Sequence, residues 1–518
     1  MLRLKIRLND FIRKLKHKCK ISQEEYNSIH ISSAAPGILY GLPKVHKANT
    51  PVRPIMSAIG TYNRSLAKFL VPLLQPLTQN EFTINSTQDF ARIIQNLSYE
   101  GPIFLTSFDV LSLFTNIPVP ETIDIILNSG LRSEENMYGN FTEKEFKGML
   151  ELATSNNLFY FNEQLYRQID SMAMGSSISC CFANIFMGHH EKRWIHECPT
   201  AFKPKFIYRY IDDYIIAFAS EDQAEAFYEY VNNKHRNISF TREDEQNGSL
   251  NFLDLTITHQ NGTFRTKTYR KPTHTGLGTN YTSFIAHVFK LSSIRTLLHR
   301  AYTTSTSWIE FDEEVSFLTK FFEQNNYPAK VIQNQIRSFK NKIFEPKELP
   351  PTVQKQSFYI KLQYLGPMSF HVRNQLCKLL TSSYPQLDFK YIFVNKSTVS
   401  NLFKFKDKIP TNLQSLVTYE YKCVICNNNY VGLTTCNLGK RIADHMGKSE
   451  LTGKDCKKPH SAILDHHKQT KHPIQPSDFK IIGRAASKHQ LELLEAIQIA
   501  HFKPKLNIQV QAAKLYTV

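Results

Sequence analysis

The sequence lacks any hydrophobic run long enough to cross a membrane. No stretch approaches the roughly 18 consecutive apolar residues that a transmembrane helix needs. The N-terminal stretch MLRLKIRLNDFIRKLKHKCK also lacks the apolar core of a secretory signal peptide. These absences predict a protein of the cytosol or the nucleus, with no membrane partner and no secretion.

Cysteine is too sparse and too scattered for a disulfide framework. The chain has 9 cysteines in 518 residues, an odd number, whereas disulfide-stabilised proteins are small and rich in cysteine. Reduced thiols leave metal binding as the alternative, and only the C-terminal cysteines have the spacing of ligands.

Acidic residues are in deficit. The chain has 63 Lys and Arg against 45 Asp and Glu, which gives a net charge of +18. In a chain without membrane segments, such an excess indicates a polyanionic partner, with nucleic acid as the leading candidate. A hydrophobic content of 42% supports well-packed cores, and the length leaves room for about two to four domains.

The stretch FIYRYIDDYIIAF, residues 206–218, places two acids inside a run of β-branched and aromatic residues. The flanks predict two short strands, with Asp212 and Asp213 at the bend between them. Tight hairpin turns prefer Asn-Gly or Asp-Gly, so Asp-Asp is a poor choice for folding alone. Adjacent carboxylates repel unless a cation lies between them, which predicts a Mg²⁺ site; the alternative is an exposed acidic turn.

A third acid lies upstream in GPIFLTSFDVLSLFTNIP, residues 101–118. Alternation puts Leu105, Ser107 and Asp109 on one face of a strand. An unpaired carboxylate at the end of a core strand is costly, whereas a carboxylate that binds a metal together with Asp212 is not. Asp109 is therefore the predicted third metal ligand.

Two further segments are suited to nucleotides. Lys44 and Arg53 carry positive charge on Pro- and Gly-punctuated loops, which suits a triphosphate, although such loops are often simply solvated. Gly175 and Ser176 form a small-residue turn before an apolar helix, where a base pair or nucleotide could approach the backbone. The alternative there is a packed core helix with a serine cap.

The remaining N-terminal and central segments predict structure more than chemistry. Residues 1–30 predict a short amphipathic basic helix, either a solvated face or a localisation or nucleic-acid signal. Residues 281–345 have a helical pattern, and the three prolines in 346–352 indicate a domain boundary. Residues 353–410 predict two strands and a helix in a connector.

The C-terminal residues form a second constellation. Two short strands, Val417–Cys423 and Tyr430–Leu433, precede Arg441 and His445. A helix over 491–502 carries Glu495 between aliphatic neighbours, and Asn507 follows it. The structural alternative is a small basic α/β module in which Glu495 is merely solvated.

The same region has the spacing of a zinc site. Cys423 and Cys426 form C-x₂-C, and His466 and His472 form H-x₅-H, a ligand set that suits structural zinc. Possible substitutes are Cys436, Cys456, His460 and His467. The alternative is reduced thiols that bind no metal.

The motifs GLPKVHK with RPI, SFDVLSLFTNIP, MGSSIS, YIDD, FLDL and YRKPTHTG, in this order, resemble the reverse transcriptase of Penelope-like retroelements over about residues 30–345. The resemblance implies an α/β (α+β) fold, a right-hand polymerase of fingers, palm and thumb. Asp109, Asp212 and Asp213 would be its catalytic, Mg²⁺- or Mn²⁺-binding carboxylates. Arg53 and Lys44 would hold the triphosphate, and Phe114 would lie under the sugar and exclude a 2′-hydroxyl; a plain core phenylalanine is the alternative.

The order of residues over about 415–510 resembles the GIY-YIG nucleases. Tyr419 and Tyr430 match the signature tyrosines, although no glycine precedes Tyr419 and the first signature is degenerate. The resemblance implies the remaining roles for residues that follow: phosphate-binding Arg441, helix histidine His445, metal-binding Glu495 and late asparagine Asn507.

These resemblances divide the chain into seven expected parts. They are a basic N-terminal segment (1–30), fingers (31–100), palm (101–260), thumb (261–345), a linker and connector (346–410), a GIY-YIG endonuclease (411–510) and a tail (511–518).

The expected function is an RNA-directed DNA polymerase of a retrotransposon, whose endonuclease nicks DNA to prime reverse transcription. Its partners would be an RNA template, a DNA primer and target, and deoxynucleoside triphosphates. An inactive or repurposed nucleic-acid-binding copy is the alternative, and a telomere-maintaining polymerase is a weaker one. The short segment before the fingers leads us to expect a truncated N-terminal region.

Overall fold

A computed structural model describes residues 2–45, 49–131, 140–155, 157–260, 262–344, 355–395, 406–455 and 461–507. The first elements, in chain order, are α1 (Leu2–His17), α2 (Gln23–Ile29), β1 (Gly37–Pro43), β2 (Val52–Ser57), α3 (Arg64–Leu74), α4 (Thr87–Gln95), β3 (Phe104–Val110), α5 (Leu113–Asn116), α6 (Val119–Leu131), α7 (Glu143–Thr154), β4 (Leu158–Phe161) and β5 (Gln164–Arg167). Next come α8 (Ser179–His196), β6 (Phe206–Tyr210), β7 (Asp213–Phe218), α9 (Glu221–Asn232), β8 (Phe240–Asp244), β9 (Ser249–Phe252), β10 (Leu255–Gln260) and β11 (Thr263–Thr268).

The second half of the chain continues with α10 (His287–Thr304), α11 (Trp308–Gln324), α12 (Ala329–Phe344), β12 (Gln356–Gln363), α13 (Met368–Ser383) and β13 (Leu387–Val394). The C-terminal elements are β14 (Val417–Lys422), β15 (Asn429–Thr434), α14 (Leu438–His445), α15 (Ala462–Thr470), β16 (Phe479–Arg484) and α16 (Lys488–Phe502). Helices and strands thus mix throughout, as the expected fold class requires. Among the described helices, none combines the length and the hydropathy needed to cross a membrane.

The central sheet has the strand order β6-β7-β3-β8 and separates two hydrophobic cores. Alternate residues of β3 and β7 enter each core. Phe108, Ile216 and Phe218 belong to the larger cluster. Leu105 and Ile215 belong to the smaller one. Burial on both faces explains why these strands are so apolar. Their carboxylates therefore lie at the end of the sheet.

A second sheet has the order β2-β1-β4-β5. Its strands β1 and β2 lie in the expected fingers (31–100), whereas β4 and β5 lie in the part expected to be the palm (101–260). In the β1–β2 hairpin Leu42 is opposite Arg53. The predicted N-terminal helix is confirmed as α1, whose apolar side buries Leu8 and Ile12 in the larger core.

Helices α10, α11 and α12 pack around their own core, which includes Leu318 and Phe322 of the predicted helical pattern. The connector strands and helix are confirmed as β12, α13 and β13, with the strands parallel. The proposed boundary at 346–352 and the tail at 511–518 lie outside the described residues.

The C-terminal module is a sheet of order β15-β14-β16 with α14, α15 and α16 around it. Both predicted strands and the predicted helix over 491–502 are confirmed. Its core is centred on Tyr419 and Tyr421, which are fully buried.

Candidate active sites

The acidic hairpin is shifted by one residue from the predicted position. The turn consists of Ile211 and Asp212, and Asp213 is the first residue of β7, opposite Tyr210. On its other side Asp213 is the direct cross-strand partner of Asp109 in β3. The prediction that Asp212 and Asp213 together form the bend is therefore wrong, because pairing with β3 draws Asp213 into the sheet.

This register brings the three acids together at one end of the sheet. Directly opposed residues of an antiparallel pair have β-carbons about 4.5–5.5 Å apart and project from the same face. The backbone N–H of Val110 donates to the carbonyl of Asp212 at 3.0 Å. That bond holds the turn carboxylate beside the two strand carboxylates.

The turn is backbone-strained. Ile211 has a φ of 60°, a region unfavourable for a β-branched residue and usually given to glycine at the first position of such a turn. A residue held in this way costs about 1–3 kcal/mol. The surrounding structure must therefore hold it in place.

Arg209 supplies that support. Its guanidinium donates to the carbonyl of Ile211 at 3.2 Å and to both carboxylate oxygens of Glu191, at 2.7 and 3.1 Å. Arg209 is fully buried and Glu191 is 2% exposed. Tyr214 and Asn80 also donate to Glu191. Sequence reasoning missed this ion pair; the buried position of a charged residue in β6 becomes visible only once strand alternation is fixed.

The acid cluster is electrostatically unfavourable without a cation. Burial, together with the charges of Asp212 and Asp109, raises the pKa of Asp213 to about 7. Burial, together with the charge of Asp109, also raises the pKa of Asp212. Arg53 opposes both shifts, Lys44 opposes that of Asp212 and Lys271 that of Asp213. The three neighbouring carboxylates, two of them with raised pKa values, fit a divalent cation with oxygen ligands.

Lys44 follows β1, whereas Arg53 lies in β2 and not on a loop as predicted; their binding of a triphosphate stays a prediction. Their charges reach Asp212, and Lys271 of the YRKPTHTG segment joins them at Asp213. Lys271 was missed as a site residue, although the mixed basic and aromatic character of its segment was a signal. His46 and Lys47 lie outside the described residues.

Phe114 and the Gly175 turn are linked through one short segment. Phe114 in α5 is half-buried against the larger core, and its carbonyl accepts from the N–H of Met172 at 2.9 Å. Gly175 has a φ of 118°, and a β-carbon there would come within 2.4 Å of the carbonyl oxygen of Met56. The glycine is needed for packing against β2. Ser176 is half-buried beside it.

The raised pKa of Asp213 predicts a pH-dependent stability of the metal-free protein. A folded-state pKa of about 7 above the ordinary 3.8 means that the unfolded state ionises first, so stability falls as pH rises from about 4 to 7. Mg²⁺ binds the ionised form. We expect Mg²⁺ to raise the Tm more at pH 8 than at pH 5, by about 2–4 °C in differential scanning fluorimetry.

Asp213→Asn is the control for that measurement. The amide cannot ionise, so the difference between the two pH values should shrink. An equal Mg²⁺ effect at both pH values in the unsubstituted protein would contradict the assignment.

In the C-terminal module, Tyr419 lies at the centre of a hydrogen-bonded chain. Arg441 donates through Nε to the Tyr419 hydroxyl at 3.0 Å. The hydroxyl then donates to Nε2 of His445 at 2.6 Å, and Nδ1 of His445 donates to the Ser461 hydroxyl at 2.5 Å. Burial and the charge of Arg441 lower the pKa of His445 to about 3, so the ring is neutral. Ser461 was not found from sequence and fixes the tautomer of His445.

Tyr430 and Glu495 complete this cluster. The charge of Glu495 raises the pKa of both tyrosines. Burial raises the pKa of Glu495 itself, whereas the charge of Arg441 lowers it. Gly432 permits the close packing, since a β-carbon there would lie 2.7 Å from the Tyr419 hydroxyl. A glycine inside a strand often marks such an approach.

Asn507 is occupied in holding β15. Its side-chain amide accepts from the N–H of Val431 at 2.9 Å and donates to the carbonyl of Val431 at 2.7 Å. The residue fixes the strand that carries Tyr430. Its contacts are those of a positioning residue.

The four predicted zinc ligands meet in one place. The ligand atoms of Cys423, Cys426, His466 and His472 all lie within 4.8 Å of one another. Sγ of Cys423 is 3.4 Å from Nδ1 of His472, and Sγ of Cys426 is 3.4 Å from Nε2 of His466. Zn–S and Zn–N bonds at tetrahedral angles put such atoms about 3.5 Å apart. Backbone N–H groups also bring the pKa of Cys423 below its usual value, against burial.

The structure describes two of the four possible substitute zinc ligands, His467 and Cys436. Nδ1 of His467 donates to the carbonyl of His472, so this ring orients a ligand. Cys436 is not among the four clustered side chains. Cys456 and His460 lie outside the described residues.

A further His and Glu cluster lies in the palm region and is better explained by hydrogen bonds than by metal. Glu121 accepts from Nε2 of His190 at 3.0 Å and from Nε2 of His235 at 3.4 Å. Nδ1 of His235 accepts from the N–H of Asn237. A neutral His235 therefore carries its proton on Nε2 and has no lone pair there for a metal.

Two family models match the chain. Residues 45–245 match the reverse transcriptase (RNA-dependent DNA polymerase) family. Residues 278–337, which include α10 and α11, match the animal helix-turn-helix domain. No curated protein matches the sequence.

Several solved structures are distantly similar. Telomerase from Candida albicans in complex with a telomeric RNA fragment shares 12% identity, with coverage of 61% of this chain and 64% of that chain and a TM-score of 0.36. Apo telomerase from Candida tropicalis shares 10%, covers 60% of each chain and has a TM-score of 0.37. The chain thus spans less than two thirds of these telomerases. With scores this low, the likeness carries no weight for function.

The family match and the acid cluster define the class of this part of the molecule. All three carboxylates lie within the matched residues 45–245, on the sheet that those residues build. This part of the chain is similar to the reverse transcriptase family.

Proposed function

We propose that the protein is an RNA-directed DNA polymerase. The observation that carries the proposal is the cross-strand pair Asp109–Asp213, with Asp212 in the adjoining turn, inside a reverse transcriptase domain. The excess of basic residues, 63 against 45, suits an RNA template and a DNA primer. The site of action would be the nucleus or cytoplasm.

The chain's own groups have separate tasks in this reaction. Asp109, Asp212 and Asp213 would hold two divalent ions, Mg²⁺ or Mn²⁺. When bound, the ions would lower the pKa of the primer 3′-hydroxyl and stabilise the leaving pyrophosphate. Arg53 and Lys44 would bind the triphosphate. Arg209, paired with Glu191, would stabilise the turn that carries the carboxylates.

The test is primer extension by the purified chain on an RNA template with deoxynucleotides and Mg²⁺ or Mn²⁺. Template-dependent synthesis supports the proposal. Salt-sensitive binding without synthesis under either metal would favour a binding-only copy instead.

Phe114 is proposed to exclude the 2′-hydroxyl of ribonucleotides. Phe114→Ala should remove this barrier and lower discrimination against ribonucleotides by about 10- to 100-fold, since a lost steric contact is worth about 1–3 kcal/mol. The ratio of kcat/KM for dNTP and rNTP incorporation measures it. Phe161→Ala, at an exposed phenylalanine of β4, is the control, and unchanged discrimination in Phe114→Ala would leave Phe114 as a core residue.

We further propose that the chain is a Penelope-like retroelement protein with a C-terminal GIY-YIG endonuclease. The support is the convergence of Tyr419, Arg441, His445 and Glu495 in one cluster. Arg441 would bind the phosphate, and one of the two signature tyrosines would help to activate water. A divalent ion on Glu495 would stabilise the cleaved phosphate. The nick would provide the 3′ end for synthesis.

Glu495→Gln tests the nuclease separately from the polymerase. The amide is a poor metal ligand, so nicking of supercoiled plasmid should fall at least about 100-fold while primer extension is retained. Glu492→Gln is the matched control, because Glu492 lies in the same helix and forms an ion pair with Lys488 at 3.6 Å. Equal nicking by both variants would refute the assignment of Glu495.

A further inference from the structure

The C-terminal module contacts the N-terminal segment through a buried asparagine. Asn437 accepts from the N–H of Ala34 at 3.3 Å and donates to the carbonyl of Ala34 at 2.9 Å, across 403 residues of sequence. It also donates to the carbonyl of Leu413 at 2.7 Å. Asn437 is 8% exposed and Ala34 is 5% exposed. A buried amide that satisfies both backbone groups of one distant residue is a specific contact.

The side chain of Asn437 makes this contact instead of capping its own helix. It is the N-cap of α14, where asparagine normally accepts from a backbone N–H of the first turn. Its side chain makes no such bond here. The amide is committed to the segment beside Ala34.

Other contacts extend the same interface. The hydroxyls of Ser33 and Ser415 are hydrogen-bonded at 3.0 Å. The ammonium of Lys406 lies 4.2 Å from the ring centroid of Tyr40 in β1, a cation–π distance. Next to Ala34, the N–H of Ala35 donates to the carbonyl of Gly60 at 2.8 Å. The segment around Ala34 is therefore bonded to the reverse transcriptase domain on one side and to the C-terminal module on the other.

The contact lies at the start of the helix that carries the nuclease residues. Arg441 follows Asn437 by one helical turn and donates its N–H to the Asn437 carbonyl at 3.2 Å. His445 ends the same helix. A shift of Asn437 would move both side chains relative to Tyr419 on β14.

We propose that the segment around Ser33 and Ala34 is the docking surface for the chain's own C-terminal module, and that Asn437 is the positioning residue that couples this docking to cleavage. The effect on cleavage rests on the proposed nuclease function. The docking itself does not, and can be measured without any activity.

The docking test is a disulfide between Ser33→Cys and Ser415→Cys in the full chain. The hydroxyls at 3.0 Å make these two serines direct neighbours across the contact, and they are therefore the pair chosen for the link. We expect mild oxidation to give an intramolecular link, with the joined peptides identified by mass spectrometry. Ser33→Cys with Ser477→Cys is the control, because Ser477 bonds within its own turn. A link no more frequent than in the control overturns the docking.

The coupling test adds Asn437→Ala to the cysteine pair. In the reduced protein nicking should fall about 10-fold or more while primer extension is kept, and oxidation should restore nicking by replacing the lost contact covalently. Asn96→Ala is the matched control, since the side chain of the exposed Asn96 donates to the Arg92 carbonyl of its own helix. The coupling role is overturned if the disulfide forms but Asn437→Ala neither lowers nicking in the reduced protein nor regains it on oxidation. A protein that links but never nicks would instead refute the proposed nuclease.

Discussion

Asp212→Asn should abolish DNA synthesis by the full chain. The substitution removes an oxygen proposed to bind metal from the turn while keeping the size of the side chain. Loss of one electrostatic group aimed at the reacting phosphate costs at least about 10³-fold in rate, or about 4 kcal/mol. Single-turnover primer extension on an RNA template would measure the loss.

Two measurements separate this effect from damage to the fold. The affinity for the template should keep its dependence on salt concentration, because contacts of Lys and Arg with phosphates set this dependence. Asp124→Asn is the control, as Asp124 is an exposed acid of α6 that only pairs loosely with Lys147 at 3.7 Å. Synthesis by Asp212→Asn within 10-fold, roughly, of the unsubstituted protein would remove Asp212 from the catalytic set.

Cys423→Ser should unfold the C-terminal module. Cys423 is 1% exposed and belongs to the module's core as well as to the proposed zinc site. A structural zinc contributes about 10–16 kcal/mol of apparent binding free energy, more than a small module gains from its core alone. We expect one zinc per chain in the unsubstituted protein, and none in the variant. Nicking should be lost with it.

Hydrogen exchange would show which elements unfold in Cys423→Ser. Protection should vanish in β14, β15 and α15 but persist in β3 and β7, since the central sheet has its own cores. Cys19→Ser, at an exposed thiol of the N-terminal segment, should leave zinc and protection unchanged. A metal-free protein with a fully protected module would rule out the zinc site.

Local chemistry made much of the site predictable. β-branched and aromatic runs on either side of Asp212 and Asp213 indicated two short strands, and the structure has both, at 206–210 and 213–218. The position of the turn was wrong by one residue, because hairpin register here is set by pairing with β3. A single sequence shows which residues favour a strand but not which distant strand they pair with.

The supporting residues were not visible from pattern alone. Arg209, Glu191 and Ser461 each act through hydrogen bonds to side chains at least 16 residues away in sequence. The same holds for Asn437, which bonds the backbone of Ala34 across 403 residues of sequence. Spacing identified the zinc candidates but left several histidines and cysteines open, and the fold of α15 brought His466 and His472 to the cysteine pair.

By itself, the sequence determined the elements and the chemical groups: which stretches form strands and helices, where carboxylates interrupt apolar runs, and that the chain is basic. These follow from local side-chain properties and near-neighbour periodicity. Only the tertiary structure decided the pairing of Asp109 with Asp213, the burial of Arg209 with Glu191, and the contact of Asn437 with Ala34. The physical reason is that these interactions join residues whose proximity is created by chain folding, and burial then fixes their charge and their hydrogen-bond partners.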